Sequence, residues 1–200
     1  DAPRDRWEKP GTNRIIKRID ALITNCVEFH TPITEKSMKI YLERTQNCQD
    51  GTMKSYQNIT IKPITGAMGA EVFGVDLSGE LDDATWNEIQ DAFHSFVVLI
   101  FRDQNLTDQQ QYDFSARFGK IIPHPYVKGL PDHPEIFQII REPGESYSWD
   151  GFYHSDLMFL ERPPLGATLY AKQVPPFGAD TAFTNMYLAY ETLSDAMKNL

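Results

Sequence analysis

The chain has 200 residues, of which 41% are hydrophobic and 24% charged, and its formal net charge is −9 at pH 7. This composition supplies a core and excludes disordered, collagen-like and disulfide-scaffold proteins, and no apolar run approaches the roughly 20 residues that cross a bilayer. The acidic balance argues against nucleic acid and membranes as partners, because no basic stripe is present. Cys26 and Cys48 form no CxxC motif, so we expect a cytoplasmic chain without disulfides.

The composition changes near Met53. Residues 1–52 carry nine basic and eight acidic side chains, a net charge of +1, whereas residues 53–200 carry ten and twenty, a net charge of −10. Between residues 13 and 26, apolar side chains recur three and four positions apart, which predicts a short helix. We therefore interpret residues 1–52 as a helical or non-native N-terminal extension that precedes the domain of residues 53–200.

Clear signals for secondary structure begin after this boundary. Residues 58–64 alternate in polarity and contain a proline, which predicts a first or edge strand. The glycine-rich residues 66–79 predict a loop. Asp82 or Asp83 can cap a helix, and residues 97–101 form the continuous apolar run of a buried strand. The predicted buried face of the helix consists of Trp86, Ile89, Phe93 and Phe96.

The remaining predicted elements are a helix, two strands and a last helical segment. Thr107 and Gln110 have the spacing of a capping box, which predicts the start of a second helix. Residues 135–140 and 166–172 are apolar and rich in β-formers, so we expect strands there, and residues 184–200 have helical spacing. The whole layout predicts an α+β protein.

One short motif has the character of a metal site. In the sequence Tyr-His-Ser-Asp, which begins at Tyr153, His154 and Asp156 are two residues apart. On an extended segment their side chains point to the same face, where an imidazole nitrogen and a carboxylate oxygen can hold one ion. With one more histidine, this pair makes the facial triad of non-haem Fe(II) oxygenases. The competing interpretation is a loop histidine that bonds to its neighbour.

Further motifs accompany this pair in a fixed order between residues 58 and 200. They occupy residues 64–78, 99–104, 106–110, 118–125, 153–159, 163–172 and 178–181. Together they resemble the taurine dioxygenase (TauD/TfdA) family of Fe(II)- and 2-oxoglutarate-dependent oxygenases. The resemblance implies a double-stranded β-helix, or jelly roll, with flanking helices. It also implies that His154 and Asp156 bind Fe(II), and that the hydroxyl of Thr181 contacts a carboxylate of the co-substrate 2-oxoglutarate.

Substrate contacts follow from the same resemblance, which assigns them to His124, Asp150 and Leu157. The alternative for His124 is a loop histidine. Members that act on taurine have asparagine where this chain has Asp150, and a carboxylate at that position opposes a sulfonate. Taurine itself is therefore a doubtful substrate.

The third iron ligand and the arginine that pairs with 2-oxoglutarate have no counterpart in these motifs. Family members carry both about a hundred residues beyond the segment of Thr181, as the resemblance implies. Two explanations stay open. Either residues 53–200 are the N-terminal part of the family domain, with a jelly roll incomplete at its C-terminus, or residues 1–52 supply replacement contacts, with His30 as the third ligand.

Three functions are consistent with these features. The first is a dioxygenase that uses O2 and 2-oxoglutarate to hydroxylate a small, anionic organic substrate, releasing succinate and CO2. The second is a catalytically silent fragment or jelly-roll binding module that lacks the third iron ligand. The third is a jelly-roll protein that binds another divalent ion. Homo-oligomerisation is left open.

Overall fold

The computed structural model describes residues 54–140, 152–175, 178 and 180–200, together with the backbone of residues 19–24. The strands in this part of the chain are β1 (Ile19–Thr24), β2 (Thr60–Pro63), β3 (Ala70–Phe73), β4 (Val98–Arg102) and β5 (Ala167–Leu169). The helices are α1 (Asp83–Phe96), α2 (Asp108–Ala116), α3 (Met186–Glu191) and α4 (Asp195–Lys198).

The strands form one mixed sheet in the order β2-β3-β4-β1-β5. β3 and β4 run parallel, and α1 lies in the connection between them, as a parallel pair requires a crossover. The other neighbouring pairs are antiparallel. Within the parallel pair, Ala70 is opposite Leu99 and Val72 is opposite Phe101, and all four side chains are buried.

The core lies between α1, α2 and the middle of the sheet. α1 buries the face that its sequence predicts, from Trp86 through Ile89 to Phe93, while Phe96 packs at the margin of the core. Phe114 of α2 meets the rings of Trp86 and Phe101 edge to face, at centroid distances of 6.1 and 5.9 Å. Each such side chain contributes about 1.5–3 kcal/mol through burial, so this cluster supplies much of the stability.

Both predicted helix starts are confirmed. The Asp82 carboxylate accepts from the backbone N–H of Thr85 at 2.7 Å, and this hydrogen bond lowers the pKa of Asp82. At α2, the Thr107 hydroxyl accepts from the Gln110 N–H at 3.2 Å while the Gln110 side chain accepts from the Thr107 N–H at 2.8 Å. These are local interactions, which is why sequence spacing alone predicts them.

The predicted helix at residues 13–26 is wrong where the structure describes it, because residues 19–24 form β1. This strand pairs with β4 on one side and β5 on the other. Helical spacing of apolar residues is a weak local preference, and backbone pairing with two neighbouring strands overrides it. The other residues of that predicted helix lie outside the described part of the chain.

Two more predictions in the middle of the chain need correction. The predicted loop at residues 66–79 contains β3, because Gly69 and Gly74, with φ of 88° and 89°, bound the strand rather than interrupt it. The predicted strand at residues 135–140 is an irregular loop. Ile139 and Ile140 are 45% and 68% exposed there, and no neighbouring strand among the described residues pairs with them.

The predictions for the last part of the chain are confirmed in part. β5 is shorter than the predicted strand at residues 166–172, and the helical segment at 184–200 is divided into α3 and α4 by the N-cap at Ser194. A mixed sheet with helices agrees with the α+β class, whereas the jelly roll stays a prediction. Of the helices in the described part of the chain, none has the length and apolar character that a bilayer span requires.

Candidate metal centre

The two predicted metal ligands converge on one point. Nε2 of His154 lies 3.1 Å from Oδ1 of Asp156, and both side chains are about half exposed. Two neighbouring ligands, each about 2.1 Å from an octahedral ion, are separated by about 3.0 Å. The spacing of these two atoms therefore suits a shared divalent cation.

The surroundings of His154 define which nitrogen is available. Nδ1 lies 2.7 Å from the carbonyl oxygen of Phe152, and a carbonyl only accepts, so the proton of this bond is on Nδ1. The 3.1 Å separation of Nε2 from the Asp156 carboxylate is also that of a direct ion pair, which forms when the ring is protonated. A neutral ring with its proton on Nδ1 would instead offer the Nε2 lone pair to a metal ion. A backbone carbonyl that orients a histidine in this way is common at metal sites. The residues present therefore fit a metal ion.

The third ligand is not identified. In the described residues, no further histidine, cysteine, aspartate or glutamate lies close enough to complete a group of three with His154 and Asp156. His30, the proposed replacement ligand, lies outside the described residues, as does Asp150 of the predicted substrate contacts. The site is thus described as a two-residue pair.

His124 is held in a defined orientation on a loop. Its Nδ1 accepts from the backbone N–H groups of Tyr126, at 3.2 Å, and Val127, at 3.1 Å. Because Nδ1 is the acceptor, the proton of the neutral ring is on Nε2, which is left to donate to another group. The ring also lies 5.5 Å from that of Phe137, edge to face.

A contact between aromatic rings joins this loop to the segment that follows the metal ligands. The ring of Tyr126 lies 6.2 Å from that of His124 and 6.0 Å from that of Phe159, which is three residues beyond Asp156. Tyr126 and Phe159 are 80% and 65% exposed. The sequence did not single out Tyr126, because nothing in its local pattern indicates a contact over this distance along the chain.

Leu157 directly follows the predicted ligands and has a strained backbone. Its φ is 53°, which is rare for a residue with a branched side chain, and its carbonyl accepts from the N–H of Leu160 at 3.1 Å. The side chain is half-buried. The chain therefore turns immediately after Asp156, and such strain is concentrated at functional sites.

The predicted 2-oxoglutarate contact, Thr181, is exposed. Within the described residues it makes no hydrogen bond to His154 or Asp156. Four residues later, Asn185 is buried and caps α3, where its Oδ1 accepts from the N–H of Leu188 at 3.1 Å. Asn185 was not among the predicted site residues, although an asparagine before an apolar helical segment is a recognisable N-cap signal.

Hydrogen bonds and an ion pair attach β5 and the residues after it to α2 and to the loop before α2. The Tyr170 hydroxyl accepts from the N–H of Leu106 at 3.1 Å, and Nζ of Lys172 lies 2.6 Å from Oδ1 of Asp108. Gln111 of α2 is buried and donates to a backbone carbonyl of β5 at 3.4 Å. The helical layer thus holds the strand that follows the candidate metal centre.

A comparison with known protein families identifies the family of the chain. The profile of the family described as taurine catabolism dioxygenase TauD, TfdA matches residues 60–200. The chain belongs to the TauD/TfdA family. The match includes His124, His154, Asp156 and Thr181, so each of these positions lies in the family domain, and the resemblance in the sequence is confirmed.

Curated relatives include several dioxygenases of this family. An alkylsulfatase of Acinetobacter baylyi is 35% identical over 144 residues, which cover 71% of this chain and 44% of the relative. An alpha-ketoglutarate-dependent sulfate ester dioxygenase of Pseudomonas putida is 33% identical, with coverages of 71% and 46%. An (S)-phenoxypropionate/alpha-ketoglutarate-dioxygenase of Sphingobium herbicidovorans is 31% identical, with coverages of 69% and 49%. The chain spans about half the length of these relatives.

Solved structures of similar proteins align over a smaller part of the chain. A taurine dioxygenase from Burkholderia xenovorans is 36% identical, covers 42% of this chain and 32% of its own, and has a TM-score of 0.39. AAD-2, solved with Mn(II) and N-oxalylglycine, is 33% identical, with coverages of 32% and 25% and a TM-score of 0.31. The family assignment therefore depends on the sequence match.

Proposed function

We propose that this chain contributes to an Fe(II)- and 2-oxoglutarate-dependent dioxygenase that hydroxylates a small, anionic organic substrate and releases succinate and CO2. The 3.1 Å approach of His154 Nε2 to Asp156 Oδ1, inside the matched family segment, carries the proposal. The iron and 2-oxoglutarate, when bound, supply the oxygen activation and the C–H hydroxylation. The protein binds, orients and shields the reactants.

In this proposal, His154 and Asp156 hold the iron. The carbonyl of Phe152 keeps the proton of His154 on Nδ1, so that Nε2 is free to bind. The carboxylate of Asp156 supplies the negative charge and an oxygen ligand of the type that Fe(II) accepts. Leu157, whose backbone turns directly after Asp156 and whose side chain is half-buried, would contact the substrate.

His124 contacts the anionic group of the substrate. Two backbone N–H groups occupy Nδ1, which leaves the Nε2 proton to donate to a sulfate or carboxylate oxygen. The exposed rings of Tyr126 and Phe159 supply apolar surface for the carbon skeleton. The relatives include a sulfate ester dioxygenase and a phenoxypropionate dioxygenase, and the compounds in their names combine an anionic group with an apolar part.

The carboxylate of 2-oxoglutarate is assigned to Thr181. Its hydroxyl is exposed and can donate to a carboxylate without adding a competing charge. Asp150, through the family resemblance, completes the proposed substrate contacts. We expect an alkyl sulfate or an aryloxy acid as substrate, because the relatives include a sulfate ester dioxygenase and a phenoxypropionate dioxygenase.

Oxygen consumption coupled to succinate formation tests this function. The protein, expressed from its complete reading frame and supplied with Fe(II) and 2-oxoglutarate, should form succinate in step with substrate loss for an alkyl sulfate or an aryloxy acid. Asp156→Ala should abolish turnover, and Asp132→Ala, a change at an exposed loop aspartate, should preserve it. Equal, substrate-independent rates in all three proteins would contradict the proposal.

A catalytically silent scaffold is the second candidate. It is supported by the described residues, in which no third ligand accompanies His154 and Asp156. The same assay separates the two functions. A silent scaffold binds 2-oxoglutarate or substrate without forming succinate. The dioxygenase forms succinate in step with the loss of substrate.

A further inference from the structure

Asn185 is the only buried residue in the described stretch 180–200. It is 7% exposed, although it is polar, and the two short helices that follow bury no residue. The nitrogen and the oxygen of its side-chain amide both form hydrogen bonds. Nδ2 donates to the carbonyl oxygen of Ala67 at 2.6 Å, and Oδ1 accepts from the N–H of Leu188 at 3.1 Å. Asn185 therefore connects the start of α3 to a turn 118 residues earlier in the chain.

The turn that receives this bond is itself well anchored. The Thr65 hydroxyl accepts from the N–H groups of Ala67 and Met68, at 3.2 and 3.1 Å, and donates to the Met68 carbonyl at 2.6 Å. Gly69 then donates to the carbonyl of Phe96, at the end of α1, at 2.8 Å. The carbonyl of Ala67, although the residue is exposed, thus belongs to a hydrogen-bonded turn that is joined to the end of α1.

We infer that Asn185 is the positioning residue for the 2-oxoglutarate site: it ties the segment that carries Thr181 to the helical core, so that the Thr181 hydroxyl is preorganised for the carboxylate. This inference rests on the proposed function. Only four residues separate the two side chains, and Thr181 is exposed. Because Asn185 is the buried residue of this stretch, loss of its bond to Ala67 would loosen the segment of the threonine, and binding would have to order it.

An asparagine is required because the two hydrogen bonds need a donor and an acceptor on one short side chain. Asn185→Asp keeps the oxygen that caps α3 but opposes a carboxylate to the Ala67 carbonyl. Asn185→Ala removes both bonds. Ser194 provides a matched control, since its hydroxyl caps α4 through the N–H of Met197 at 3.4 Å and makes no bond to the core.

The test measures 2-oxoglutarate affinity in the protein expressed from its complete reading frame. Under anaerobic conditions, 2-oxoglutarate is added stepwise to the protein with Fe(II), and the visible charge-transfer band of the complex is recorded. In both Asn185 variants we expect the dissociation constant to rise about tenfold, the change that corresponds to one buried hydrogen bond. Ser194→Ala should bind as the wild type does. Turnover at saturating 2-oxoglutarate should stay within about twofold, which places the loss in KM rather than in kcat.

Hydrogen exchange gives a second readout that does not depend on the metal. In the protein without ligands, Asn185→Ala should speed exchange in the peptide containing residues 180–190, and Ser194→Ala should not. Unchanged 2-oxoglutarate affinity in both Asn185 variants would overturn the inference and leave the proposed function intact. An equal rise in KM for 2-oxoglutarate and substrate, with early unfolding, would overturn it in favour of a purely structural role. A wild-type protein without the band would overturn the inference and the proposed function together.

Discussion

The ring of Tyr126 lies 6.0 Å from the ring of Phe159, and this contact joins two segments that the site needs together. One segment carries His124, and the other carries His154 and Asp156. The two rings are largely exposed, so they form an apolar surface that includes a residue three positions after Asp156. In the proposed function, His124 supplies a hydrogen-bond donor for the substrate and the two rings contact its carbon skeleton.

Removal of the Tyr126 ring should weaken substrate binding and leave co-substrate binding unchanged. An aromatic contact is worth about 0.5–1.5 kcal/mol, so we expect Tyr126→Ala to raise the KM for an aryloxy acid by about two- to tenfold. The KM for 2-oxoglutarate should not change. Phe73→Ala, which removes an exposed ring from β3, is the control. Steady-state kinetics with each substrate varied in turn would refute this role if both variants behaved alike.

Two replacements separate the roles of the His124 ring nitrogens. In His124→Asn, the amide oxygen can replace Nδ1 as acceptor for the N–H groups of Tyr126 and Val127, but no group replaces the Nε2 donor. A hydrogen bond to a charged group is worth about 1.5–3 kcal/mol, so kcat/KM should fall about ten- to a hundredfold. The melting temperature should fall more in His124→Ala, which also loses the loop anchor. If His124→Asn retained full kcat/KM, the donor role would be wrong.

Glu88 should make stability depend on pH in the acid range. Desolvation raises the pKa of its carboxyl, but hydrogen bonds from the N–H groups of Gln57, Asn58 and Ile59 outweigh that effect and lower the pKa below its ordinary value of 4.5. The unfolded chain therefore binds the proton more readily, so this contribution is complete above pH 4.5 and is lost as pH falls through the folded-state pKa.

Urea unfolding of Glu88→Gln at a series of pH values measures this effect. The variant should unfold at a lower urea concentration than the wild type at pH 7, and the difference should shrink as pH falls below the ordinary pKa. Glu80→Gln, at an exposed glutamate, should follow the wild type throughout. A constant difference across the whole range would show that the Glu88 carboxylate does not titrate as described.

The central position of β1 predicts a specific sensitivity to proline. Leu22 is opposite Ile100 of β4 and Leu169 of β5, so a proline there removes an N–H between two strands. Leu22→Pro should lower the free energy of unfolding by about 1–3 kcal/mol, the cost of leaving one backbone hydrogen-bonding group of the sheet unpaired. Leu22→Val, which retains the N–H, is the control. Equal denaturation midpoints for the two variants would contradict the pairing of β1.

The helices of the core could be predicted because their signals are local. Asp82 caps α1 through a neighbour three residues away, and Thr107 and Gln110 form a reciprocal pair within one turn. β3 was missed because its flanking glycines resemble a loop, although both occupy the positive φ that bounds a strand. β1 was missed because its conformation is set by strands far away in the sequence, which no local pattern encodes.

The candidate site also has features that the sequence predicts and features that only the structure shows. The pairing of His154 with Asp156 follows from alternation along two residues, so the sequence predicts it directly. The bond from Asn185 to Ala67 and the contact of Tyr126 with Phe159 depend on tertiary packing over 118 and 33 residues, respectively, so they required the structure. Positions within a motif are thus predictable, whereas the side chains that hold motifs relative to one another are not.

The most direct test of the central claim is an anaerobic titration of the metal-free protein with Fe(II) in the presence of 2-oxoglutarate. The account predicts a weak visible charge-transfer band that saturates at one iron per chain, is lost in His154→Ala and is retained in His133→Ala, a change at a loop histidine beside Tyr112. If the wild type gives no band, or if the band persists in His154→Ala, the assignment of the iron site is contradicted.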